Sequence, residues 1–178
     1  MIFLRQLIAA TSLAAAGLLA AHGAPPSGSA LLAGKWKLDL AKSTNLGAWT
    51  KFGLEISVDG PRITIVRSVS AEDRAYTQTS ALDLSKPESI VPINWWIDNR
   101  NIGAYIGGDK TAKVHARLEE GGRVLHTDSD LTLSSQQGNH DVNVIADYHV
   151  SPNGQRLTIL EIRSTRDLPV VYVFERAP

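Results

Sequence analysis

Beyond residue 30, apolar and polar positions alternate with a period of two, which is the pattern of half-buried β-strands. Leu54-Glu55-Ile56-Ser57-Val58 alternates cleanly, and Ile63-Thr64-Ile65-Val66-Arg67 does so in part. Between them, Asp59-Gly60 tolerates the positive φ of a tight hairpin turn. Pro61 fits the start of the second strand, where its missing N–H costs least. Val114, Ala116 and Leu118 alternate with His115, Arg117 and Glu119. Gly121-Gly122 then turns the chain into a run where Leu125, Thr127, Ser129, Leu131 and Leu133 alternate with polar residues. Val142–Val150 and Arg156–Arg163 flank Ser151-Pro152-Asn153-Gly154, which suits a type I turn with a bulge. Pro169–Glu175 reads as a last strand. About ten strand candidates joined by short turns point to a sandwich or barrel. No helical period of ten or more residues interrupts them, and there is no internal repeat. Consecutive hairpins favour an up-and-down antiparallel order, and closure removes the edge strands. The expectation is all-β, a single antiparallel up-and-down β-barrel. About eight strands enclose an interior that is filled by side chains or holds one small ligand.

The first 30 residues follow different rules. Met1–Arg5 carries one positive charge, and Leu7–Ala21 is apolar except for Thr11 and Ser12. As a helix this run rises about 22 Å, short of the roughly 30 Å hydrocarbon core. Small residues at Ala21 and Gly23 suit signal peptidase, so residues 1–23 are expected to be a signal peptide cleaved after Gly23. An uncleaved anchor helix is the alternative. Residues 24–30 (APPSGSA) then form a flexible linker, and 31–178 form the barrel domain. The expected location is the bacterial periplasm or outside the cell, with no membrane span in the mature chain.

Composition narrows the function classes. The 178 residues hold 18 basic and 18 acidic side chains and no cysteine. Removing residues 1–23 takes away Arg5 alone, leaving 17 basic against 18 acidic. Such a balance lacks the basic footprint of a nucleic-acid binder. Without cysteine there is no disulfide scaffold, thiolate zinc site or catalytic Cys. At 43% apolar and 20% charged residues, the chain is globular.

The Gly121-Gly122 hairpin carries the richest titratable cluster. Pairing Glu120 with Arg123 sets Leu118 opposite Leu125, Arg117 opposite His126, His115 opposite Asp128 and Lys113 opposite Asp130. Lys113, His115, Arg117, His126, Asp128 and Asp130 then share one face. Asp128 and Asp130 lie about 7 Å apart on it. This face reads either as a cation site or His–Asp pair, or as a solvated outer face with charges paired across strands. His140 falls in an expected loop and His149 before a turn, neither at metal spacing, and HExxH is absent. Gly-x-Ser-x-Gly is absent too, and Gly107-Gly108-Asp109 lacks the helix a phosphate loop needs. No catalytic residue, metal site or cofactor is therefore assigned.

Trp95-Trp96 stands out among four tryptophans. On a strand, neighbours point to opposite faces. One ring then enters the core, and the other meets solvent, a lid or the cavity mouth. Trp49, Trp95, Trp96 and Tyr105 are the candidate contacts of an apolar ligand. Ordinary core packing plus one surface Trp is the competing reading.

Three stretches resemble a known group. Gly34-Lys35-Trp36-Lys37-Leu38-Asp39-Leu40-Ala41-Lys42-Ser43 resembles the Gly-x-Trp opening of lipocalins and is similar to uncharacterised secreted bacterial lipocalin-like proteins. Val150–Thr158 resembles that group's late hairpin, and Val171–Arg176 its last strand. The likeness covers the two ends of the mature chain and not residues 85–110. It implies a barrel able to hold a small apolar or amphipathic molecule, and no established activity. Three roles stay open: a small-ligand binder, an envelope structural or protein-interaction module with a filled barrel, and an enzyme using the His115/Asp128 face. The third requires that face to point into a cavity.

Overall fold

The structure, a computed structural model, describes residues 28–47, 49–97 and 104–178. The expected signal peptide lies outside the described residues, as does most of the expected linker. Eleven strands form: β1 (Gly34–Leu38), β2 (Lys51–Asp59), β3 (Arg62–Ser70), β4 (Ala75–Asp83), β5 (Ser89–Pro92), β6 (Tyr105–Ile106), β7 (Thr111–Glu119), β8 (Val124–Ser135), β9 (Gly138–Val150), β10 (Arg156–Arg163) and β11 (Val170–Arg176). The hydrogen-bonded order is β4-β3-β2-β1-β11-β10-β9-β8-β7-β5, with β6 paired to β8. Every pairing is antiparallel. Apart from the two-residue β6, neighbours in sequence are neighbours in space, and β1 meets β11, so the chain forms the expected up-and-down barrel.

The turn chemistry explains the register. Asp59 pairs with Arg62 across a two-residue loop, with Gly60 at φ +55°. Gly154 N–H donates to Ser151 C=O at 2.8 Å in the β9–β10 turn. The β7–β8 hairpin adopts the register read from the sequence: Leu118 opposite Leu125, Arg117 opposite His126, His115 opposite Asp128, and Lys113 opposite Asp130.

Closure is incomplete between β4 and β5, the two ends of the hydrogen-bonded path. β5 has only four residues and ends on Pro92, which has no N–H to give. Side chains close the seam instead. The Gln78 amide donates to Pro92 C=O and accepts from Asn94 N–H, the latter at 3.1 Å. Asn94 Nδ2 donates to Thr77 C=O at 2.9 Å, and Asp83 N–H donates to Ser89 Oγ at 3.0 Å.

One end of the barrel is plugged. Trp36 is 2% exposed, and its indole N–H donates to Leu32 C=O at 3.0 Å. The Arg176 guanidinium stacks 4.3 Å from the Trp36 ring centre. It also donates to Leu31, Ala33 and Gly154 carbonyls at 2.5–2.8 Å. Phe52 meets Tyr172 and Phe174 edge-on at 5.1 and 5.4 Å, the preferred aromatic geometry. Of the stretch expected to be flexible, Gly28–Ala30 instead open a one-turn helix, α1 (Gly28–Leu32), anchored by fully buried Leu32. That turn lies against Gly121-Gly122 so closely that a Cβ on Gly28 or Gly122 would strike backbone. Glycine on both sides makes the approach feasible.

Candidate functional site: a polar cluster in the barrel cavity

Inward positions of β2, β9 and β11 are almost wholly apolar, as alternation demands, while β8 adds the small polar Thr127 and Ser129 to its inward leucines. Charged residues enter two inward rows. In β3, Ile63, Ile65 and Val69 are buried, and Arg67 shares their side of the strand. In β10, Leu157 and Ile159 are followed on the same face by Glu161 and Arg163, only 2% and 3% exposed. Tyr148 of β9 and Tyr172 of β11 join them.

These side chains form one network. Arg163 donates to Glu161 Oε2 from Nε at 3.1 Å and from Nη2 at 2.6 Å. It also donates to Tyr172 Oη at 3.3 Å. Arg67 Nη2 donates to Tyr148 Oη and lies 3.1 Å from Glu161 Oε1. That last pair is close in charge but poorly angled: Glu161 Oε1 is buried without a well-formed hydrogen bond. Burial alone would raise the Glu161 carboxyl, but the Arg67 and Arg163 guanidiniums beside it hold it below the usual carboxylate range. Burial pushes the Tyr148 and Tyr172 hydroxyls up, so both keep their protons at neutral pH.

The network borders a cavity of about 140 Å³. Arg67, Tyr148, Glu161 and Arg163 supply its charged and phenolic side, with Gln78 and Ser80 nearby. Leu82, Val91, Ile93, Val114, Leu131 and Val144 supply much of its apolar wall. The segment 93–97, which follows the side-chain-closed seam, covers one flank with Trp95, Trp96 and Ile97.

The sequence-derived candidates separate here. Trp95 and Trp96 both line the cavity. The expected strand alternation does not apply to them, because the chain leaves the ladder after Pro92 and both rings turn to one side. Trp96 lies beneath Arg163, at 5.6 Å from its ring centre. Trp95 Nε1 is buried without a hydrogen-bond partner among the described residues. Trp49 is buried one layer back, edge-on to Tyr76 at 5.6 Å and 6.4 Å from Trp95. Tyr105 is 72% exposed on β6 and takes no part in the lining.

The charged face of the β7–β8 hairpin has the expected register but lies outside the barrel, on the side opposite Val114, Leu125 and Thr127. Its partners also differ from simple cross-strand pairing. Asn143 of β9 bridges Asp128 and Asp130 at 2.6 and 2.9 Å. His126 Nδ1 stands 2.7 Å from Asp147 Oδ1, and His115 Nδ1 lies 2.8 Å from Pro87 C=O. The neighbouring strand β9 thus takes His126, Asp128 and Asp130, while His115 reaches to the turn before β5. Among the described residues, no three His, Cys, Asp or Glu are grouped to hold a metal ion. His140 lies in β9 rather than in a loop, because β9 extends back to Gly138. Among the described residues, no helix is long and apolar enough to cross a membrane.

Arg67, Tyr148, Glu161 and Arg163 were not among the sequence-derived candidates. The signal for them was present: charged residues at inward positions of apolar alternations, at Ile63-x-Ile65-x-Arg67-x-Val69 and Leu157-x-Ile159-x-Glu161-x-Arg163. Compared with known families and curated proteins, the chain matches no family model and no curated sequence.

Proposed function

We propose that this protein is a secreted, lipocalin-like binder of a small amphipathic molecule, which it holds in the barrel cavity. The carrying observation is the cavity itself: an apolar wall with two tryptophans, facing a largely buried ionic network. A network of this kind is costly to bury. Replacing buried ion pairs by apolar residues is often neutral or stabilising, by about 1–4 kcal/mol. Its placement beside an open volume, rather than in solid packing, supports a role in holding a polar part of a ligand. Pockets that bind small molecules combine apolar walls with a few fixed polar groups in this way. On this reading residues 1–23 direct export and are removed, and the barrel works in the periplasm or outside the cell.

The size of the cavity limits the ligand. An enclosed cavity of about 150 Å³ admits benzene, so the volume of about 140 Å³ here accommodates one compact ring. Thermal unfolding against a panel of benzene-sized compounds tests the reading. At 100 times its Kd, a bound compound stabilises by about 2.7 kcal/mol, raising Tm by about 5–11 °C in a domain of this size. A panel in which no compact compound raises Tm contradicts it.

A further inference from the structure

We propose that the ligand is a compact ring carboxylate, seated with its carboxylate on Arg67 and its ring against Trp95 and Trp96; this rests on the cavity reading above. The argument begins with how unevenly Glu161 is shared. Arg163 holds Glu161 Oε2 through two well-formed hydrogen bonds. Arg67 has only proximity to Oε1, without good hydrogen-bond geometry. Arg67 is therefore the less completely neutralised guanidinium.

Its donors are also incompletely used. A guanidinium carries five N–H groups. Nη2 serves Tyr148 and approaches Glu161, and neither Nε nor Nη1 bonds another described residue. The side chain keeps 24% of its surface accessible while lining the cavity. A cation with spare donors beside an apolar volume selects an acceptor, and a carboxylate matches the guanidinium fork in both charge and planar geometry. Tyr148 strengthens the choice. Its oxygen accepts from Arg67, so its own O–H is left to donate to an incoming anion. Tyr148 also holds Arg67 in place, since its hydroxyl accepts from Nη2 and its ring centre lies 5.4 Å from Cζ. An anchored donor loses little rotamer freedom when the ligand arrives. Arg163, which lies over Trp96, is already engaged by Glu161 and Tyr172, and Ile93 and Ile97 flank the two tryptophans, so the ligand's body is expected to be apolar. The volume of about 140 Å³ leaves room for one ring.

Isothermal titration of the mature protein with benzoate, its neutral isostere benzamide, and decanoate tests this. Benzoate is expected to bind at least about tenfold more tightly than benzamide or decanoate. In Arg67→Met, benzoate should fall to the affinity of benzamide, with benzamide itself changed less than about threefold. Arg67→Lys, which keeps the charge but loses the fork, should lie between. If Arg67→Met fails to fold, the comparison on the unmodified protein still decides. Equal binding of benzamide and benzoate overturns the anion inference and leaves the cavity reading standing. Tighter binding of decanoate overturns the size inference. If none of the three compounds binds, both this proposal and the cavity reading fall.

Discussion

Glu161→Gln tests the ionic network most sharply. The carboxylate is 2% exposed and accepts two hydrogen bonds from Arg163 while facing Arg67 at 3.1 Å. Glutamine preserves volume and one acceptor oxygen but removes the charge that both guanidiniums face. Breaking a buried pair by removing one partner costs about 3–5 kcal/mol. The retained oxygen can still accept from Arg163, so the lower end applies, about 3 kcal/mol. At roughly 2–4 °C per kcal/mol, Tm should fall by about 6–12 °C. Urea unfolding followed by tryptophan emission gives the same quantity independently. The pH dependence carries a second signature. The folded carboxyl titrates below its ordinary value of 4.5. Its stabilisation is therefore complete above pH 4.5 and is lost as pH falls through the lowered folded value. The gap between wild type and Glu161→Gln should narrow on moving from about pH 7 to about pH 3. A loss under about 1 kcal/mol, or a gap that does not change with acid, refutes this account of the network.

Three further outcomes are expected. Trp36→Ala should cost about 3–5 kcal/mol, since it empties the plug beneath Arg176; an unchanged melting temperature contradicts that reading. Tyr148→Phe removes a buried acceptor of a charged donor and should cost about 1.5–3 kcal/mol in urea unfolding, with an unchanged midpoint counting against the Arg67–Tyr148 bond. Ser80→Phe should fill the cavity, abolishing ligand-induced thermal shifts while the unliganded protein stays within about 1–3 kcal/mol of wild type; retained shifts would place binding elsewhere.

Period-two alternation and glycine turns were enough to read the barrel and even the register of the β7–β8 hairpin, because strand side chains have no freedom to change face without shifting the whole pairing. The seam was less legible. Pro92 marks the end of the ladder, but its replacement by Gln78 and Asn94 side-chain bonds depends on how β4 and β5 face each other at the two ends of the hydrogen-bonded path, which alternation does not encode. The same break misled the reading of Trp95 and Trp96, for which strand alternation was assumed where no strand exists. The charged hairpin drew attention through its density of titratable groups, yet polar residues gather most readily on the outer face. The informative residues were the rare charged ones inside. Arg67, Glu161 and Arg163 each sit in phase with apolar neighbours, and phase carries more information than clustering. What alternation could not supply was that three strands bring these groups together with Tyr148, since that depends on barrel closure and stagger.

The central claim is that the barrel holds a compact small molecule. Native mass spectrometry of the protein purified from its own cells or medium, compared with its denatured mass, tests that most directly. The account predicts a discrete added mass of ring-carboxylate size that disappears on denaturation and does not bind Ser80→Phe. A bare mass under both conditions, in a protein that also fails to take up benzoate on addition, would contradict it.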